Sequence, residues 1–166
     1  MEANTEGLSA SAQRVQNALD KLGVQVKVVE LPASTRTAEE AAAAVNCQVG
    51  QIVKSLIFRA KTSGQAVLVL ASGPNRVDVA RVGQALGEPI ERADADFVRE
   101  QTGFAIGGIP PVGHNQALVT FMDEDLLQYQ LVWAAAGTPH AVFPIHPQTL
   151  AQISSARVLA VRQEKA

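Results

Sequence analysis

Thirteen residues, Thr102-Gly103-Phe104-Ala105-Ile106-Gly107-Gly108-Ile109-Pro110-Pro111-Val112-Gly113-His114, hold four glycines and two prolines. Proline has no N–H to donate and glycine gains little from regular structure, so the run continues neither a helix nor a central strand. It is too apolar and too closely punctuated for a linker, which is ordinarily Gly/Ser-rich or charged. It reads as a shaped loop whose backbone N–H and C=O groups come close to a ligand. Lys54, set in the apolar stretch Gln51-Ile52-Val53-Lys54-Ser55-Leu56-Ile57-Phe58, supplies one point charge. Together they suggest a pocket that works through backbone dipoles and an ammonium group, not through a side-chain triad.

Other chemistry is sparse. Cys47 follows an alanine-rich helical stretch and reads as a small buried hydrophobe, not an activated thiolate. No G-x-S-x-G elbow, P-loop, G-x-G-x-x-G or H-E-x-x-H pattern is present. Three histidines at 114, 140 and 146 with one cysteine do not make a zinc spacing, so no metal and no cofactor is expected. His114 and His140 could meet in space, but a hydrogen-bonding or surface role fits each better than catalysis. In a strand of period two, Lys54 shares its face with Ile52, Leu56 and Phe58. It is either an edge lysine reaching for water, or a lysine projecting into a pocket to bind a phosphate, carboxylate or carbonyl oxygen. Asp78, after a Gly-Pro-Asn-Arg turn, is either a helix N-cap or a carboxylate that holds an amine or orients Lys54.

The elements that must carry these groups follow from periodicity and punctuation. Val15, Ala18, Leu19 and Leu22 give a first amphipathic helix over 9–22, stopped at Gly23. Val24, Val26, Val28 and Leu31 suggest a strand closed by Pro32. Thr37 and Glu40 form a capping-box pattern for a helix to about Val45. Residues 51–59 and 65–71 read as two strands joined by Lys61-Thr62-Ser63-Gly64. A helix runs from Asp78 to Leu86 and ends at Gly87. A short strand follows at 89–91, then a helix from Asp94 to about Gln101. Beyond the loop come strands at 117–122, 131–136 and 140–144, with a short helix or turn at 123–127. A last helix follows Pro147, and a final strand spans 157–161. Strands joined by short turns imply an α/β fold with a mixed, mostly antiparallel, curved sheet and not a doubly wound parallel one.

The totals set bounds. A chain of 166 residues is expected to form one domain, 1–166, with a sizeable core. With 47% hydrophobic and only 4% aromatic residues, that core must be mainly Val, Leu, Ile and Ala. No apolar run approaches the ~20 residues that span a bilayer, and residues 1–15 lack the basic and apolar regions of a secretory signal. The lone cysteine excludes an internal disulfide and fits a reducing cytoplasm. A net charge of −2, with no Lys/Arg run, argues against general DNA binding, and the lack of a long apolar run leaves no membrane partner expected. Contact with nucleic acid should be confined to a short end.

Four segments, in order and spread over nearly the whole chain, resemble the YbaK/ProX family of prolyl-tRNA synthetase-associated editing domains. They are Gln51–Leu56, Gly73-Pro74-Asn75-Arg76-Val77-Asp78, Thr102–His114 and Val132-Trp133-Ala134-Ala135-Ala136-Gly137-Thr138-Pro139-His140. The last looks most like the ProXp-x subgroup. The resemblance implies a mixed, barrel-like sheet flanked by helices. It also implies a trans-editing deacylase acting on tRNA(Pro) mischarged with a small amino acid, of the alanine, cysteine or 2-aminobutyrate class. Lys54 matches the family's functional lysine, near the terminal adenosine. Gly107 to Pro111 matches a G-x-x-x-P loop whose backbone lines the aminoacyl pocket, which gives Gly107 and Gly108 catalytic roles. Substrate contacts are expected from Ile106, Ile109, Pro110, Pro111, Gly113, His114, Asp78 and His140, with Val112 in the pocket wall. The expected partner is the tRNA(Pro) acceptor end, recruited through prolyl-tRNA synthetase or another tRNA-binding protein. The competing reading is a non-catalytic module that binds a synthetase or a tRNA end.

Overall fold

The computed structural model describes residues 7–164. Residues 1–6, on which part of the leader-sequence argument rests, lie outside the described residues. Among the described residues, five α-helices and eight strands follow one another: α1 (Ala10–Lys21), β1 (Val29–Glu30), α2 (Ala38–Val45), β2 (Ile52–Ala60), β3 (Ala66–Ser72), α3 (Val79–Leu86), β4 (Ile90–Arg92), α4 (Ala95–Thr102), β5 (Val119–Asp123), β6 (Val132–Ala135), β7 (Ala141–Ile145), α5 (Pro147–Ile153) and β8 (Arg157–Leu159). The strands form one mixed sheet in the order β1-β7-β6-β2-β3-β5-β8, with β4 attached to β2. Four pairings are antiparallel and three are parallel. The path runs from β1 to β8 without closing, so the expected barrel-like curvature does not become a closed barrel.

The helix ends follow side-chain chemistry that is local in sequence. Ser9, Thr37, Asp78 and Asp94 each cap a helix N-terminus by accepting a backbone N–H. Gly87 and Gly103, both left-handed, stop α3 and α4. The segment 24–31 departs from its alternating pattern, since only Val29–Glu30 joins the sheet, against β7. The Gln16 amide takes the place of a neighbouring strand: Nε2 donates to the Val26 carbonyl at 3.0 Å and Oε1 accepts from Val28 N–H at 2.8 Å. β8 likewise ends at Leu159, two residues short of the expected strand.

β3 is buried along its whole length, because both faces of the sheet are covered there. Leu68 and Leu70 enter the larger core with Val15 and Leu19 of α1, Val98 of α4 and Leu150 of α5. Val67, Val69 and Ala71 enter a second core with Val82 of α3, Phe58 and Phe121. A third, smaller cluster packs Ala38, Ala41 and Ala42 of α2 on Ile52 and Trp133.

One irregularity of the sheet opens the cleft described next. β3 covers one edge of β2 from Val53 to Arg59. On the other edge, β6 pairs only Ile52 and Val53, and β4 pairs only Phe58 to Ala60. Lys54 to Ile57 have no strand partner on that edge.

Candidate functional site

The split between β2, β6 and β4 is the floor of a cleft of about 600 Å³. Lys54, Ser55 and Leu56 lie along its floor. Thr35 to Glu39, from the approach to α2 and its first turn, form one wall, and Ile106 to Ile109 another, with Trp133, Ala134 and Ala135 of β6 beside them. Lys54 and the loop therefore line one cavity although Ile106, the first of the loop residues there, lies 52 positions further along the sequence.

Lys54 is half-buried, and its Nζ donates to the Asn75 carbonyl at 2.5 Å. Burial pushes its ammonium below the ordinary lysine range; the Glu39 and Asp123 carboxylates oppose that shift, and Arg76 adds to it. Asn75 is itself locked, because its Nδ2 donates to Asp123 Oδ2 at 2.8 Å and Asp125 Oδ2 at 2.7 Å. Asp123, fully buried, also accepts from Ser72 N–H at 3.0 Å and Asp125 N–H at 3.0 Å. A satisfied buried carboxylate thus fixes the turn that fixes the lysine. Gly73 allows the turn to lie flat on the cleft side, since a β-carbon there would overlap the Val49 carbonyl.

The Gly/Pro loop is clamped from behind. Gly137 N–H donates to the Gly108 carbonyl at 2.7 Å. A β-carbon on Gly108 would stand 2.7 Å from the Thr138 backbone, so only glycine permits this approach. Gly107 adopts φ +104°, and Arg36 passes over it closely enough that a β-carbon would meet Nε at 3.3 Å. The two glycines differ in donor supply. Gly108 N–H turns to the Ala105 carbonyl at 3.3 Å, whereas those of Gly107 and Ile109 have no protein acceptor among the described residues. Among these loop amides, those of 107 and 109 are therefore the ones left without a protein acceptor.

The remaining expected site residues separate clearly. Ile106, 59% exposed, and Ile109, buried, both line the cleft. Pro110, Pro111, Gly113, His114, Asp78 and His140 do not line it. Pro110 and Pro111 are buried behind the loop, and Val112, expected in the pocket wall, packs in the larger core instead. His114 Nε2 donates to the Pro110 carbonyl at 2.7 Å, with its ring edge-on to Phe104, so it braces the loop from the rear. Burial and Arg14 hold its pKa below the ordinary histidine value, against the hydrogen bond to Pro110. His140, exposed, bonds through Nδ1 to the Ala33 carbonyl at 3.1 Å. Asp78 caps α3, accepting from Arg81 N–H at 3.1 Å. Burial raises the Cys47 thiol, which lies outside the cleft.

Thr35, Arg36, Glu39 and Ser55 are cleft residues that pattern reading did not single out. Ser55 adjoins Lys54, and the other three flank the Thr37 cap, but no motif marks them as ligand-facing. Thr35 Oγ1 and Ser55 Oγ are buried with no hydrogen-bond partner among the described residues. No group of three or more His, Cys, Asp or Glu among those residues could hold a metal ion, and no helix there is long and apolar enough to cross a membrane.

Comparison with known proteins places this arrangement. Residues 32–153 match the family described as "Aminoacyl-tRNA editing domain". Protein YwhH of Bacillus subtilis is 30% identical over 131 residues, covering 79% of this chain and 83% of that protein. The "Putative Cys-tRNA(Pro)/Cys-tRNA(Cys) deacylase EbsC" of Enterococcus faecalis is 23% identical, over 72% of this chain and 73% of its own. A proline–tRNA ligase of Bacillus licheniformis is 36% identical over 91 residues, which cover 54% of this chain and 16% of the ligase. A crystal structure described as a "putative trans-editing enzyme for prolyl tRNA synthetase" superposes with a TM-score of 0.90 at 53% identity, covering 95% of this chain and all of that one. The chain belongs to the aminoacyl-tRNA editing domain family.

Proposed function

We propose that the protein is a trans-editing deacylase that hydrolyses the ester of tRNA(Pro) carrying a small non-cognate amino acid, of the alanine, cysteine or 2-aminobutyrate class. The observation that carries this reading is the shared cleft, which Lys54 lines together with Gly107, Gly108 and Ile109, the amides of 107 and 109 having no protein acceptor among the described residues.

An aminoacyl ester is already activated, so its hydrolysis needs a positioned water and a stabilised oxyanion more than a strong nucleophile. Water adds to the ester carbonyl, the carbonyl oxygen becomes the oxyanion, and the ribose oxygen leaves with a proton. The loop amides would meet that oxyanion, a contribution of roughly 3 kcal/mol per donor in comparable sites. Lys54 would bind next to the terminal adenosine, and the neighbouring ribose 2′-hydroxyl would orient the water. Ile109 and the close-packed backbone around Gly108 limit the volume left for the amino-acid side chain. One methylene changes binding by about 1–3 kcal/mol, so such a pocket sorts small from bulky better than it sorts among small side chains.

The test is deacylation of tRNA(Pro) charged in turn with alanine, serine, cysteine, threonine and 2-aminobutyrate. The wild type should release a small amino acid, and Lys54→Ala should lower kcat/KM by about a hundredfold, the scale of one lost charge-assisted contact in a transition state. Undiminished hydrolysis by Lys54→Ala would remove the lysine from the mechanism. No turnover of any of these substrates would leave the non-catalytic binding module as the better reading.

A further inference from the structure

The cleft wall facing the loop holds a carboxylate with no part in the reaction as written above. Glu39 and Glu40 are consecutive in the first turn of α2. Neighbouring helix residues point about 100° apart, so the two carboxylates leave the helix in different directions. Glu40 serves the helix itself: its N–H donates to Thr37 Oγ1 at 3.1 Å, and its Oε1 accepts from the Thr37 hydroxyl at 3.0 Å. Glu39 lines the cleft and forms no ion pair among the described residues. Interaction with the helix dipole would suit either residue and does not account for one of them facing a cavity.

Two further observations mark this part of the cleft as built for a polar ligand. Thr35, only 7% exposed, has a hydroxyl without a partner, and so does Ser55 across the floor. A buried hydroxyl without a partner is costly, and few are left so unless something else is to meet them. Glu39 lines the same cleft as Lys54 and opposes the lowering of the lysine's pKa, so the two groups stand within electrostatic reach of each other.

We infer that Glu39 recognises the α-ammonium group of the aminoacyl ester, accepting a charge-assisted N–H···O bond while the ester carbonyl faces the loop amides. This deepens the deacylase reading and rests on it. It gives the site a selectivity of its own. Free aminoacyl esters carry the cationic amine, whereas N-acylated and peptidyl esters have a neutral amide that offers no charge and adds bulk at the same place. The cleft should accept the first and turn away the second.

Two probes test this. One is the alanyl amide of 3′-amino-3′-deoxyadenosine, which cannot be hydrolysed at the ester position, and the other its N-acetyl counterpart. Binding of both is measured by calorimetry, beside turnover of alanyl- and N-acetylalanyl-tRNA(Pro). The wild type should prefer the free amine by about tenfold or more, the scale of one hydrogen bond to a charged group. Glu39→Gln should lose that preference by weakening the free-amine probe while leaving the N-acetyl probe unchanged. Glu40→Gln should lower the thermal midpoint and keep the preference. A Glu39→Gln variant that retains the preference, or weakens both probes equally, overturns the assignment while the deacylase reading stands. Failure of the wild type both to bind the probes and to turn over either tRNA removes the deacylase reading, and this assignment falls with it.

Discussion

Lys54 owes its position to residues that never touch the cleft. Its Nζ is held by the Asn75 carbonyl, and Asn75 is held by Asp123, which sits in the interior at the end of β5. The strand pattern around Lys54 left an edge lysine and a pocket lysine equally open, because periodicity assigns a face and not what lies above it. Asp78 had two readings as well, and its bond to Arg81 N–H is the cap. His114 shows the same limit from the other side. The family resemblance implied a substrate contact for it, whereas in the fold its imidazole donates to the Pro110 carbonyl, the hydrogen-bonding role its residue type suggested. That position has a pH signature. The folded pKa is depressed, mainly by burial, while the unfolded value is about 6.5. The unfolded chain therefore binds the proton more readily. His114 imposes no penalty above about pH 6.5, and stability falls as the pH drops from there through the folded pKa. Thermal midpoints recorded from pH 8 to pH 5 should decline less for His114→Gln than for the wild type, once each is referred to its own value at pH 8. Parallel declines would mean that other groups carry the acid sensitivity.

Among the elements, the helices were the most legible from sequence. Their caps, Ser9, Thr37, Asp78 and Asp94, each act on the N–H group three residues on, so local sequence suffices to fix them. Segment 24–31 was legible only as apolar alternation. Whether such a segment becomes a strand depends on what meets its backbone, and here the Gln16 side chain does so. The Gly/Pro loop was recognisable as a shaped loop, but not which of its glycines is constrained by what. Gly108 is pinned against Thr138, thirty residues on, by a contact that leaves no room for a β-carbon. Gly108→Ala should therefore push the loop off the β6–β7 turn at a cost of about 1–3 kcal/mol. It should also lower deacylation more than a loss of stability explains, since the amides of 107 and 109 move with it. Measuring both the urea midpoint and kcat/KM checks this; a variant with wild-type kcat/KM would show that the loop amides do not act as placed.

At the scale of the whole molecule, β3 is the structural axis, because it faces a different core on each side. Leu68 is fully buried in the larger core and Val69 in the second. Leu68→Ala should cost about 2–5 kcal/mol, and Val69→Ala a smaller but still substantial amount, since each opens a cavity that a central strand cannot collapse into. Chemical denaturation of both variants provides the check, and a near-neutral result at either position would mean that one face is not a true core. The sheet also accounts for the cleft. β2 exceeds the reach of β6 at one end and of β4 at the other, and the four residues between them have only one strand neighbour.

Taken alone, the sequence determined the mixed α/β class, the positions of the caps, the punctuation of the loop, and the pairing of one lysine with a Gly-rich backbone as the chemistry on offer. These depend on residue type and on neighbours a few positions away. Tertiary structure decided which of those groups share a cavity. It took Pro110, Pro111, Gly113, His114, Asp78 and His140 out of the cleft, and brought Thr35, Glu39 and Ser55 into it. The physical reason is that a cavity arises where strands of unequal length part company, and that mismatch belongs to the register of β2 with β4 and β6, which no local window of sequence contains.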